Sequence, residues 1–198
     1  SPGLDVEKGG MSGSLLIPSE TRTGIKAISV NCMLSDQTDP VLWEGNVLVA
    51  TLKRFWEGVS WKGIDYLFID MPPGTGDIAM TVFKTLPVDG TIIVASPQKL
   101  VGVMVEKCIK MVEKFQVPIL GIVQNMSYFE CPHCGERTYI FGTYGVDDMA
   151  ERYGIDQVAY LPFNTDISSQ SDAGDIEDAD VSGLDGIVEH LLEDFPPE

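Results

Sequence analysis

Residues 131–135 read Cys-Pro-His-Cys-Gly. Two thiols at i and i+3, with Pro132 and Gly135 to shape the turn, form a knuckle that can bind Zn²⁺ or an iron–sulfur cluster. A tetrahedral site needs four ligands, and one knuckle supplies Cys131 and Cys134 only. The other cysteines, Cys32 and Cys108, stand in apolar segments and are expected in the core. His133 is expected to be exposed and not a ligand. The simplest completion is a second copy of the knuckle across a two-fold axis. A redox C-x-x-C usually opens a helix after a strand, and nothing in the surrounding residues fits that context.

A second stretch, "YLFIDMPPGTGD" (66–77), has a different chemistry. An acid, Asp70, ends a hydrophobic run. That is the Walker B arrangement, in which a carboxylate holds Mg²⁺ through water. Pro72 and Pro73 pre-set the backbone, and Gly74 and Gly76 let N–H groups approach a γ-phosphate closely. Asp77 then stands where it can orient a water molecule. The plainer alternative is a turn capped by Asp77, with Asp70 merely ending a strand.

The stretch "KGGMSGS" (8–14) imitates a phosphate-binding loop without its parts. Ser12 and Gly13 stand where glycine and lysine are required. No apolar strand precedes it, and Pro18 and Gly24 break any helix after it. It is expected to be a flexible loop, so a phosphate cradle must lie elsewhere.

These residues need elements to position them. Apolar runs rich in β-branched residues recur at 25–31, 64–70, 90–96 and 117–125, and read as strands buried on both faces. "VAYLP" reads as a further short strand. Helical patterns lie between them, at 41–57, 77–86 (with Asp77 as cap), 100–115, 145–154 and 183–195. Alternation at this spacing predicts βαβ units, hence an α/β fold with a mostly parallel sheet flanked by helices. Ligands bind at the carboxyl ends of such strands. Asp70 and Asn125 both stand there.

Thirteen basic against thirty acidic residues leave a net charge of −17. Such a surface repels nucleic acid and anionic membrane, so neither is expected as a partner. The run 171–180 and the C-terminal "EDFPPE" are expected to form a solvated acidic tail. No apolar run is long enough to span a bilayer, and no signal peptide opens the chain. Cysteine usage without a disulfide framework suits a reducing cytoplasm.

"DYLFIDMPPGTGD" resembles the switch II segment of the Mrp family of iron–sulfur cluster carrier ATPases, deviant P-loop NTPases of the MinD/ParA type. "TIIVASPQ", "VPILGIVQNMSYFECPHCG", "IFGTYG" and "LPFNTDISSQSDAG" are similar to further family runs. The resemblance covers about residues 24–174, in order. It implies a [4Fe–4S] cluster bridging two subunits of a homodimer through Cys131 and Cys134, with zinc as the competing metal in protein prepared in air. It implies apo iron–sulfur proteins as clients, and ATP with Mg²⁺ in the intact protein. By the same resemblance Asn125 reads the adenine edge and Pro162 flanks the base. An asparagine's paired donor and acceptor suit that role, although a turn-capping asparagine is the plain alternative.

The resemblance also implies that the first strand, the Walker A loop and its lysine precede this chain. The fold is then incomplete at the N-terminus, and this chain alone is expected neither to bind ATP tightly nor to hydrolyse it. The expected organisation is a variable linker over 1–23, a partial NTPase domain over 24–170 with the C-x-x-C insertion at 128–141, and an acidic tail with a final helix over 171–198. Glu44 and Asn46 depart from the family's W-R-G-P, and a lost arginine removes a bidentate anion partner. Two other readings compete. One is a ParA/MinD-type positioning ATPase, opposed by the net charge and by the acidic last helix. The other is a zinc-knuckle interaction module, which leaves "DMPPGTGD" without a role.

Overall fold

The computed structural model describes residues 6–7, 11–12, 15–29, 46–143 and 145–197. The chain divides into two units. One is Ser1–Phe68 with Thr165–Ala179, the other Ile69–Asn164 with Asp180–Glu198.

The first unit opens with five short strands: β1 (Val6–Glu7), β2 (Met11–Ser12), β3 (Leu15–Leu16), β4 (Ser19–Thr21) and β5 (Lys26–Ala27). β4 pairs antiparallel with β1 and with β5, and β2 pairs antiparallel with β3. Next comes helix α1 (Asn46–Glu57). Gly58 and Ser60, just beyond it, exchange backbone hydrogen bonds with Leu16, at 2.8 and 2.9 Å.

Several expectations change here. The segment 8–14 reads as a loop, yet Met11–Ser12 is paired with Leu15–Leu16. The expected buried strand over 25–31 is a two-residue antiparallel strand beside an exposed Ile25, with residues 30 and 31 outside the described set. It is the edge strand of a small antiparallel sheet, paired with β4. Residues 41–45 of the expected first helix, and Cys32, also lie outside the described residues.

The run 64–70 carries no strand, and Phe68 is 73% exposed. Apolar character predicts double-sided burial only where a sheet offers a neighbour. This run crosses the division between the units and has no ladder partner among the described residues.

The second unit holds the parallel sheet. Its elements are α2 (Asp77–Thr85), β6 (Thr91–Ala95), α3 (Lys99–Lys114), β7 (Ile119–Gln124), β8 (Phe129–Glu130), β9 (Arg137–Thr138), α4 (Asp147–Tyr153) and β10 (Val158–Tyr160). The first unit then takes α5 (Thr165–Ala173), and the second ends with α6 (Asp185–Asp194). Strand order is β10-β7-β6, all parallel, with Ala95 beside Gln124 and Tyr160 beside Gln124 on the other flank.

β7, the central strand, is covered on both faces, while Val94 of the outer strand β6 stays exposed. On one face Ile93, Ile122, Val105 and Ile109 pack with Met149 and Ala150 of α4. On the other, Val123 and Ala159 meet Ile187 of α6. Cys108 packs against the first of these clusters, as its place in the helical stripe predicts, and burial pushes its thiol pKa up. α4 ends at Gly154, whose φ of +64° is the left-handed cap that glycine adopts freely.

The acidic run 171–180 is not a free tail. Glu177 accepts hydrogen bonds from Thr21 (2.6 Å) and Thr23, and Arg22 pairs with Asp178 at 2.6 Å. The Glu177 side chain is only 5% exposed. Charge runs predict solvation only when no donor lies opposite, and β4 with the turn after it presents a row of donors. Among the described residues no helix is long and apolar enough to cross a membrane.

Candidate functional site

The knuckle is built on a minimal hairpin. β8 and β9 pair only through Phe129–Thr138 and Glu130–Arg137. Cys131 N–H donates to the Glu136 carbonyl, and Gly135 N–H to the Cys131 carbonyl, both at 2.9 Å. Gly135 has φ +70°, with nothing within 4 Å of the place a Cβ would occupy. Conformation, not space, therefore calls for glycine. Backbone hydrogen bonding from His133 and Cys134, with the Cys134 side chain, holds the Cys131 thiol below the ordinary cysteine range. Cys131 is half-buried and Cys134 exposed. His133 is exposed, as expected. Among the described residues no group of three or more Cys, His, Asp or Glu side chains is gathered to hold a metal.

Side chains brace the hairpin beyond its backbone ladder. Arg137 pairs with Glu130 at 3.2 Å and lies 4.2 Å over the ring centroid of Tyr128. Tyr128 in turn meets Tyr139 edge-on, with ring centroids 6.5 Å apart. The Tyr128 carbonyl accepts the Phe163 N–H at 2.6 Å, which ties the root of the hairpin to the segment after β10.

The strand ends carry the second group of residues. Asn125 comes directly after β7, and its N–H donates to the Ala95 carbonyl at 2.7 Å. Its Oδ1 accepts the Met126 N–H at 2.8 Å, closing a turn in which Met126 takes φ +56°. Leu161 N–H donates to the Gln124 carbonyl (3.0 Å), and Ser127 N–H to the Leu161 carbonyl (2.9 Å). Half-buried Pro162 comes next. The parallel pairing of β7 with β10 thus brings Asn125 and Pro162 to the same end of the sheet.

Asp70 is exposed and leads into the loop 71–76. Gly74 has φ +92°, and a Cβ on either Gly74 or Gly76 would meet nothing within 4 Å. Gly76, not Asp77, is the N-cap of α2, with extended backbone. Asp77 instead takes the first helical position, exposed, with no side-chain capping bond at this end. A cap has to stand half outside the helix, and the extended Gly76 does that, which moves the expected cap by one residue. Asp77 gains from the helix dipole in place of a capping bond.

Two functional neighbours are not singled out by sequence. Gln124 ends a continuously apolar strand, and its side chain bonds Ser127 Oγ and the Val146 N–H. A polar residue inside a buried run must be satisfied, and that is the available signal. Arg137 carries no such signal, since only the hairpin shows that it reaches Tyr128.

A model of the ParA-type family described as NUBPL iron-transfer P-loop NTPase matches residues 3–194. The chain is similar to an iron–sulfur cluster carrier protein of Clostridium perfringens, 37% identical over 162 residues, covering 82% of this chain and 57% of that protein. It is similar to the iron–sulfur cluster transfer protein NUBPL of Dictyostelium discoideum, 38% identical, covering 76% of this chain and 46% of that one. The chain spans about half the length of these curated relatives. Among solved structures it resembles a nucleotide-binding protein from Archaeoglobus fulgidus in complex with ADP, with TM-score 0.77 and 38% identity, covering 89% of this chain and 68% of that one.

Proposed function

The chain belongs to the family of NUBPL iron-transfer P-loop NTPases, and from that premise we propose that it binds an iron–sulfur cluster and passes it to apoproteins. In the whole protein, ATP binding and hydrolysis gate the transfer. The observation that carries this reading is the knuckle itself. A turn closed by the Gly135 N–H to the Cys131 carbonyl sets the two cysteines three residues apart, with Cys131 half-buried and Cys134 exposed. Two thiols so held can ligate iron.

Two thiolates per chain make a complete site only with a second copy. A [4Fe–4S] cluster shared by a homodimer fits that count, and an exposed two-thiolate grip suits cargo that must leave again. In the whole protein Asp70 would hold Mg²⁺ through water, and the backbone N–H groups at Gly74 and Gly76 would bind the γ-phosphate. Asp77 would orient the attacking water, while Asn125 and Pro162 would receive the adenine. The nucleotide-bound relative and the common strand-end position of Asn125 and Pro162 support this assignment. The net charge of −17 argues against nucleic acid and anionic membrane as partners, and the free thiols suit the cytoplasm.

Iron and sulfide analysis of protein purified without oxygen tests the reading. About two Fe and two sulfides per chain, lost in the Cys131→Ala/Cys134→Ala double variant, is the expected result for a shared [4Fe–4S] cluster. About half a zinc per chain with no sulfide points to a dimeric zinc knuckle and removes cluster delivery.

A further inference from the structure

We infer that Arg137 is the positioning residue of the knuckle, clamping the hairpin that sets the Cys131–Cys134 spacing and supplying countercharge to the anionic centre bound there. This rests on the reading of Cys131 and Cys134 as the ligands.

The hairpin cannot hold its own shape. A ladder of two residue pairs is marginal in water. The groups that supplement it converge on one side chain. The Arg137 guanidinium pairs with Glu130, the residue before Cys131, and lies over the ring of Tyr128. Tyr128 is itself fixed, through its carbonyl to Phe163 and through its ring edge to Tyr139. Arg137 therefore links the knuckle to the end of the parallel sheet. A guanidinium suits the place because it can stack on a ring and donate in its own plane at once.

Charge points to the same residue. Between Met126 and Thr143 the chain carries Glu130, Glu136 and both cysteines, and Arg137 is the only permanent cation. A metal centre held by four thiolates is itself anionic. On a chain of net charge −17, a fixed positive charge on the same hairpin favours retention of that centre.

Co²⁺ titration of the full chain under anaerobic conditions tests this, read by the thiolate-to-cobalt absorption bands. The wild type is expected to bind with a tetrathiolate signature. Arg137→Ala and Tyr128→Leu are each expected to lower affinity about tenfold or more and to perturb the bands. The double variant is expected to be little worse than either single one, because both remove the same clamp. Arg137→Lys, which keeps charge but cannot stack flat, is expected to recover part of the loss. Unchanged far-ultraviolet circular dichroism separates this from a general loss of structure. Affinity and bands equal to wild type in Arg137→Ala overturn the proposal. If Arg137→Ala does not fold, full wild-type affinity in Tyr128→Leu overturns it. A wild type without thiolate bands overturns the cysteine reading itself, and the positioning role with it.

Discussion

The Gln124 side-chain carbonyl accepts the Val146 N–H at 3.1 Å, joining the end of β7 to the residue before α4. The same amide donates to Ser127 Oγ at 2.9 Å, and Ser127 Oγ donates to the Gln124 backbone carbonyl at 2.8 Å. Gln124 and Ser127 are both buried. One side chain therefore fixes the turn that presents Asn125 and the start of the hairpin that presents Cys131. Gln124→Leu keeps the volume and removes the amide, stranding the Val146 N–H. A buried donor left unpaired costs about 1–3 kcal/mol. The expected outcome is a loss of about 2 kcal/mol in urea unfolding measured by circular dichroism, with faster amide exchange at Val146. Wild-type exchange at that amide would show the bond to be dispensable.

Glu177 makes the stability of its own unit depend on pH. Hydrogen bonds from Thr21 and Thr23, with Arg22 nearby, hold its carboxyl pKa below the ordinary glutamate range. The folded state therefore prefers the charged form. The contribution is fully present above the ordinary glutamate pKa and is lost as pH falls through the depressed folded value. Trp56 and Trp61 belong to the same unit as Glu177, so their fluorescence reports on it. Glu177→Gln is expected to lower the urea midpoint at pH 7, and the gap from wild type is expected to close on acidification below the glutamate range. A gap that stays constant with pH would assign the effect to shape and not to charge.

The second unit's core sets a scale for these effects. Ile109 and Ile122 are fully buried, one on α3 and one on β7, in one cluster. Ile122→Ala is expected to cost about 2–5 kcal/mol, through lost transfer energy and the cavity left behind. Ile109→Ala falls in the same range, and the pair is expected to be non-additive because the two side chains share one cluster. Urea unfolding of the single and double variants checks both statements.

Much of this arrangement is legible in the sequence, and the exceptions have physical causes. The strands at 91–95, 119–124 and 158–160 and the helix between the first two can be read because their burial is decided by their own apolar pattern. The run 64–70 cannot, because burial of a strand depends on the element beside it. The partnership of Glu177 with Thr21 joins residues far apart in sequence, and composition alone reads such an acid as solvated. The two cysteines are legible as a pair because their chemistry depends on local spacing. Asn125 and Pro162 are each legible as strand-end residues, but their common position needs the β7–β10 register. Arg137 needs the hairpin, because nothing in a lone arginine says which ring it covers.

Asn125 separates the turn from base recognition. Its Oδ1 already accepts the Met126 N–H, so the side chain closes the turn whether or not a base is bound. Reading adenine needs the amide's Nδ2 donor as well as an acceptor. Asn125→Asp keeps an oxygen for the Met126 N–H and deletes the donor. In the whole protein it is expected to leave thermal stability nearly unchanged and to weaken ATP binding about tenfold, with no comparable loss for GTP. Deleting one partner of a polar recognition pair costs about 1–2 kcal/mol. Asn125→Ala removes both groups, so it is expected to lose turn stability as well as ATP affinity. Calorimetric titration with ATP and GTP, beside a thermal melt of each variant, reads the two effects apart. If Asn125→Asp binds ATP like the wild type, Asn125 is a turn residue alone, and the adenine must be read by other groups at the ends of β7 and β10.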